Sequence, residues 1–192
     1  MTDRRKKKII DVLRKRQPGL TVVMEDIHDP HNVSAVLRSA DAVGILEVQL
    51  VYINEKFPKL GRKSSASANK WIRRRQFTSI SDCYGELRKE GFLVYATHLG
   101  AKSKSVYDLD LTKKVALVFG NEHRGVSDEA ARLADGNFQI PMTGMIQSLN
   151  VSVACAVSLY EAFRQRLKAG KYARPQIPLK ALEKLFDEWT SK

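Results

Sequence analysis

The sequence predicts an α/β protein in which helices cover both faces of a parallel sheet. Three observations carry this expectation. Strand-like and helix-like segments alternate along most of the chain, the pattern of strand–helix–strand units. The length of 192 residues suits one domain with modest extensions. No internal repeat or low-complexity linker interrupts the alternation.

The basic N-terminal stretch reads as a first helix, and Leu20 to Glu25 follows as a short β-branched strand. Asn32 is a good cap for the next helix, which Gly44 closes. Glu47 to Ile53 is a second strand, and residues 54–70 are polar and irregular around Gly61. Trp71 to Phe77 has strand character, a helix from about Ser79 stops at Gly91, and Phe92 to Thr97 is a strand beyond it. Val115 to Phe119 is another strand, leading into the loop Gly120 to Gly125. Ser127 caps a short helix whose Asp128 and Glu129 suit its positive end. Phe138 to Ile140 is the last strand, before a long helix ending near Gly170. The stretch Val151 to Leu159 in that helix is small and apolar enough to be buried on every side. Pro178 suits the first turn of a terminal helix, Leu179 to Trp189.

Composition narrows the function. With 43% hydrophobic and 28% charged residues the chain can bury an ordinary core. No apolar run is long enough to span a bilayer, and no secretory signal is visible, so a cytoplasmic protein is expected. Cys83 and Cys155 make no disulfide framework. The net charge of +12 is unevenly spread, since residues 1–16 hold eight basic side chains, Lys8, Arg14 and Arg16 among them, against Asp3 and Asp11. Arg73, Arg74 and Arg75 form a second cluster, and Arg164, Arg166, Lys168, Lys171 and Arg174 a third. Clustered positive charge attracts polyphosphates by releasing counterions, which points to nucleic acid.

Ligands in parallel sheets lie beyond the carboxyl ends of the strands. Three loops fall there: His28 to Asn32, Gly120 to Gly125, and Thr143 to Asn150. On a helical wheel Val33, Val36, Leu37, Ala40 and Val43 share one face, while Ser34, Arg38 and Asp41 lie opposite, so Arg38 is no core residue. The loop between Gly120 and Gly125 lacks the Lys-Ser/Thr of a P-loop, and no Gly-x-Gly-x-x-Gly occurs. His28 and His31 flank Asp29, but Pro30 separates them and no third ligand is near, so no metal is expected. Gln147, Ser148 and Asn150 stand where a loop enters an apolar helix; there they cap the helix or meet a ligand.

Read together, Asn32-Val-Ser-Ala-Val-Leu-Arg38, Phe119-Gly-Asn-Glu122-His-Arg-Gly125 and Ile140-Pro-Met-Thr-Gly144-Met-Ile-Gln-Ser-Leu-Asn150 resemble the three signature motifs of the SpoU class of the SPOUT superfamily, RNA 2′-O-ribose methyltransferases. The resemblance runs from about residue 20 to 170, with all three motifs in order. The basic first helix, the Gln-Ser-Leu-Asn stretch and Glu161 to Arg166 look most like the members that methylate the ribose of guanosine 18 in the tRNA D-loop. The resemblance implies a deep C-terminal trefoil knot, bent S-adenosylmethionine as cofactor, and a homodimer. It assigns Arg38, Asn32, Glu122 and Asn150 to catalysis. Thr97, Gly120, Ile140, Met145, Ser148 and Leu149 would bind the cofactor, and Lys8, Arg14, Arg16, His31, Arg164 and Arg166 the RNA. Asn121, His123 and Arg124 lie where the family varies and bear on the choice of RNA. The implied organisation is an RNA-binding arm at 1–19, a methyltransferase domain at 20–170 and a helical extension at 171–192. The alternatives are the same reaction on ribosomal RNA or on the tRNA wobble ribose, and a non-catalytic RNA-binding relative.

Overall fold

The computed structural model describes residues 1–58 and 68–192. Among these, the elements are α1 (Asp3–Arg14), β1 (Leu20–Glu25), α2 (Pro30–Ala42), β2 (Glu47–Val51), α3 (Ala68–Trp71), β3 (Arg73–Phe77), α4 (Ile80–Lys89), β4 (Leu93–Thr97), β5 (Lys104–Ser105), β6 (Val115–Phe119), α5 (Asp128–Leu133), β7 (Gly136–Gln139), α6 (Val151–Lys168) and α7 (Leu179–Thr190). A 3₁₀ turn, Val106–Asp108, follows β5. The strands form one seven-stranded sheet in the order β3-β2-β1-β6-β4-β7-β5, and every described pairing is parallel.

The expected sheet with helices on both faces is therefore present, because its strands carry apolar side chains to each side. Leu20, Val22 and Met24 of β1 pack with Val33, Val36, Leu37 and Ala40 of α2 and with Cys155, Leu159 and Ala162 of α6. On the opposite face Val23, Ala116 and Val118 meet Ile80, Cys83, Tyr84 and Leu87 of α4 and Ala130 of α5. A third, smaller core joins the two ends of the chain: Ile9 and Leu13 of α1 against Ile177, Leu185 and Trp189. No helix among the described residues is long and apolar enough to cross a membrane.

Several boundaries differ from the sequence expectations for local reasons. Asp29, rather than Asn32, caps α2: its carboxylate accepts from the His31 N–H at 2.7 Å and Pro30 fills the first helical position. Pro178 stands at the cap of α7, just before its first turn. Part of the irregular stretch at 54–70, residues 59–67, lies outside the described residues. The strand expected from Trp71 begins at Arg73, after the turn of α3. Two strand residues at 104–105, paired with β7, are too few to leave a periodic signal.

Two arginines expected on RNA are internal. Arg16 is buried, donating to the Ile45 carbonyl at 2.8 Å, pairing with Asp41 and lying 4.9 Å from the centre of the Trp189 ring. Arg166 is also buried, donating to the carbonyls of Leu111, Gly19 and Lys113 and to the Gln17 side chain. Removing either buried guanidinium leaves several acceptors unpaired, so these are stapling residues and not an RNA grip, even though the Arg16 Nε has no partner among the described residues. Burial pushes the Arg166 guanidinium down to about 10. The 73–75 cluster is also largely committed: Arg73 pairs with Glu188, and Arg75 with Glu90 and Glu47.

Candidate active site

Because the strands are parallel, the loops after β1, β4, β6 and β7 leave the same edge of the sheet. The loop after β6 is held in a tight shape. Gly125 has φ of 70°, which favours glycine, and its N–H donates to the Asn121 carbonyl at 2.9 Å. Gly120 lies so close to this turn that a Cβ there would stand 2.1 Å from the Gly125 carbonyl oxygen.

Glu122 projects from this loop to the start of α2. Its carboxylate accepts the backbone N–H groups of His28 and Asp29, both at 3.1 Å, and the Asn32 amide at 2.8 Å. Burial works against the charged carboxylate, but the donation from Asn32 and from the backbone outweighs it and holds Glu122 below the ordinary carboxylate range. The Asn32 side-chain oxygen in turn accepts from the Asn150 amide at 3.1 Å. Asn150 caps α6 with its own oxygen, which takes the Ser152 N–H at 2.9 Å. Capping and bridging thus coexist in one side chain. Glu122, Asn32 and Asn150, drawn from three distant segments of the chain, form one continuous relay.

Beside the relay lies a cleft of about 630 Å³, within the size range of small-molecule sites. Thr97, Gly120, Ile140, Ser148 and Leu149 line it, as do Glu122 and Asn150. Met145 is not among its walls: it is 99% exposed, and Met142 and Gln147 line the cleft from the same segment. The Thr97 hydroxyl donates to the Val118 carbonyl at 3.0 Å and fixes β4 to β6 at the cleft's edge.

Arg38 stands apart. It is exposed on α2, does not line the cleft, and makes no hydrogen bond or ion pair with a described residue; its neighbour Asp41 pairs with Arg16 instead. Lys8, Arg14 and His31 are exposed, and Arg164 is exposed while holding Glu161 through two bonds of 2.8 Å. Sequence reasoning passed over Asp26. The signal was an acidic pair, Glu25-Asp26, at the very end of a buried strand, where a carboxylate survives only with partners.

A parallel sheet whose carboxyl edge carries a ligand-sized cleft, walled by mutually bonded loops, defines an α/β protein with a site for a small molecule. The chain belongs to the SpoU rRNA Methylase family, which it matches over residues 19–160. It is 47% identical over 191 residues to the tRNA (guanosine(18)-2'-O)-methyltransferase of Thermus thermophilus, covering 100% of this chain and 98% of the relative. The TrmH/SpoU tRNA modifying enzyme of A. aeolicus superposes with a TM-score of 0.92 at 37% identity, covering 98% of this chain and 96% of that one. The SpoU methyltransferase AviRb of Streptomyces viridochromogenes, in complex with the cofactor AdoMet, gives a TM-score of 0.69 at 28% identity over 82% of this chain and 61% of its own.

Proposed function

We propose that this protein is a tRNA (guanosine-18) 2′-O-methyltransferase that uses S-adenosylmethionine. The observation that carries the reading is the Glu122–Asn32–Asn150 relay, which draws the three motif segments to one cleft. Full-length likeness to the Thermus thermophilus enzyme supports guanosine 18 as the target. The cleft suits the cofactor: its volume admits a nucleoside with an amino-acid tail, and the Gly120 loop and Ile140 are among its walls.

When bound, S-adenosylmethionine supplies an electrophilic sulfonium methyl. Thr97, Gly120 and Ile140 would hold its adenosine part, with Ser148 and Leu149 also against the cofactor, and Met145 drops out of that set. Glu122, Asn32 and Asn150 lock the loops so that the reacting atoms meet in line. The chain's own residues would orient the ribose 2′-hydroxyl toward the cofactor, keep water out and leave the hydroxyl proton a way to water or phosphate. Arg38 stabilises the oxygen as it loses that proton and grips the adjacent phosphate, because a guanidinium stays protonated. Lys8, Arg14, His31 and Arg164 hold phosphates around the target loop.

The active form is a homodimer. Val153, Tyr160 and Leu167 recur every seven residues along α6 and are 47%, 54% and 55% exposed, an apolar stripe that a second copy would cover. The sequence expectation of a stretch buried on every side does not hold within one chain, where Val153 is 47% exposed; a second copy would cover it. Arg38, outside the cleft of its own chain, serves the cleft of the partner. In this reading the C-terminal part of the chain is threaded through a loop as a deep trefoil knot, and Ser148, Leu149 and Asn150 lie where it meets the cofactor. Residues 1–19 form the RNA arm, 20–170 the methyltransferase domain and 171–192 the helical extension, and a tRNA substrate implies a cytoplasmic location.

Labelled S-adenosylmethionine with unmodified tRNA, and separately with unmodified ribosomal RNA, tests the reading directly. The methyl is expected on the ribose of guanosine 18; a methyl mapped to ribosomal RNA or to the wobble ribose, or no transfer to any RNA, overturns it.

A further inference from the structure

Asp26 plays no part in the relay, yet its bonding is out of proportion to a surface loop. It is the single non-glycine residue with positive φ, 49°, among the described residues, and it is buried. L-residues seldom hold that conformation unless their surroundings force it, and such outliers gather at functional sites. Its carboxylate takes the backbone N–H of Ile53 at 2.8 Å, those of Asn54 and Glu55 at 3.3 Å, and the Asn54 amide at 3.0 Å. One further donor comes from the cleft: the Arg124 guanidinium, 2.8 Å from the Asp26 carboxylate. The Asp26 carbonyl also accepts from the Asn121 amide at 2.8 Å.

Asn121 and Arg124 both line the cleft, on the loop whose other side Glu122 fastens to α2. The loop therefore has two anchors. Glu122 ties it to the start of α2. Asp26 ties it to the end of β1 and to the turn at 53–55, which in turn meets His28 through Glu55 at 3.2 Å. The second anchor is the adjustable one, because the Arg124 side chain is 49% exposed and its ion pair is open to salt.

We propose that Asp26 is a positioning residue for methyl transfer: through Arg124 and Asn121 it sets the 120–125 loop against the cofactor and keeps that loop in register with the 53–55 turn. This rests on the reading of the cleft as the S-adenosylmethionine site. Asp26 touches no reacting atom itself; it acts by fixing the loop that does. The carboxylate can do this where a neutral side chain cannot, since the Arg124 tie needs its charge while the backbone ties need only an acceptor.

Asp26→Asn separates the two functions. Asparagine tolerates left-handed backbone, and its one oxygen still accepts the N–H groups of Ile53, Asn54 and Glu55, while the atom that faced Arg124 and the Asn54 amide becomes a donor and loses both. Calorimetry with S-adenosylmethionine is expected to show about tenfold weaker binding, and steady-state assays a matching rise in its KM, with KM for tRNA unchanged within about twofold. Arg124→Ala is expected to reproduce this loss, the double variant to be no worse than either single one, and Arg124→Lys to recover part of it. Added salt should weaken wild-type cofactor binding towards the level of the variant and leave Asp26→Asn unmoved. Wild-type cofactor affinity in both Asp26→Asn and Arg124→Ala, or additive losses in the double variant, overturns the proposal. Should Asp26→Asn fail to fold, the Arg124 variants and the salt series decide the matter in the same way. A wild-type protein that transfers no methyl, yet whose cofactor affinity follows this pattern, sinks the enzymatic reading and leaves the loop anchor standing.

Discussion

At the scale of single residues, Arg38 and Glu122 make opposite demands on the protein. Arg38 has no partner among the described residues, and its neighbour on α2, Asp41, is held by Arg16. Arg38→Ala is thus expected to melt with the wild type and bind the cofactor normally, yet lose at least about 100-fold in methyl transfer, as removal of one electrostatic contact at a reacting oxygen does. Near-wild-type turnover in that variant would remove Arg38 from the mechanism. Glu122 is the reverse, a carboxylate accepting from two backbone N–H groups and one amide. Its acidity is raised in the fold, so it contributes stability that is fully present above the ordinary carboxylate range, about 4.3, and lost as pH falls through its lower folded value. Cofactor binding should accordingly stay level from neutral pH down to the ordinary carboxylate range, about 4.3, and weaken only below it as Glu122 takes up its proton, as a pH series by calorimetry would show. Glu122→Gln removes the dependence and weakens binding at every pH, because an amide must point an N–H at a donor and leaves it unpaired, at about 1–3 kcal/mol. A steep loss already between about pH 7 and pH 5 in the wild type would mean that another group controls the site.

At the scale of elements, the ends of the chain serve two purposes that charge counting merges. The inner face of α1 carries Ile9 and Leu13 into the small core with Trp189, and Arg16 just beyond it is a buried staple. Its outer face carries Lys8 and Arg14, which are exposed. Deleting residues 1–16 would therefore strip the cover from α7 as well as the charge. Reversing Lys8 and Arg14 to Glu isolates the charge: tRNA binding should weaken and its salt slope fall by about one for each phosphate no longer gripped, with cofactor affinity intact. Unchanged tRNA affinity would move the RNA grip elsewhere. The same contrast explains what the sequence could and could not disclose. Strand character revealed β1, β2, β4 and β6, most plainly β6, whose Val-Ala-Leu-Val-Phe is covered on both faces, and glycines with positive φ, Gly44 and Gly91, marked where helices end. Motif spacing found Glu122, Asn32 and Asn150, though not that they bond to one another. Arg16 and Arg166 were misread because composition sees a cation and cannot see the carbonyls around it. Met145 was placed in the cleft by resemblance, whereas the turn of its loop sends the side chain outward.

At the scale of the whole molecule, a single chain is an incomplete enzyme in the proposed reading: the cleft has its cofactor walls but lacks the arginine, and α6 leaves a stripe of Val153, Tyr160 and Leu167 uncovered. These two deficits have one remedy if a two-fold partner covers the stripe and brings its own Arg38 to the cleft. An acidic residue in the stripe, Val153→Asp, should then give monomers in sedimentation and abolish transfer, although position 153 lies outside the cleft walls. Complementation is the sharper test. Arg38→Ala keeps its cleft but lends no arginine. Gly120→Ala, whose Cβ would stand 2.1 Å from the Gly125 carbonyl oxygen, keeps its arginine but deforms the cleft. Each homodimer should be nearly inactive. A mixed dimer that shares residues across its axis rebuilds one good site from the cleft of the first chain and Arg38 of the second, so random mixing should return about a quarter of wild-type activity. If Arg38 acted within its own chain, the mixed dimer would hold no intact site, and co-refolding the two variants would restore nothing.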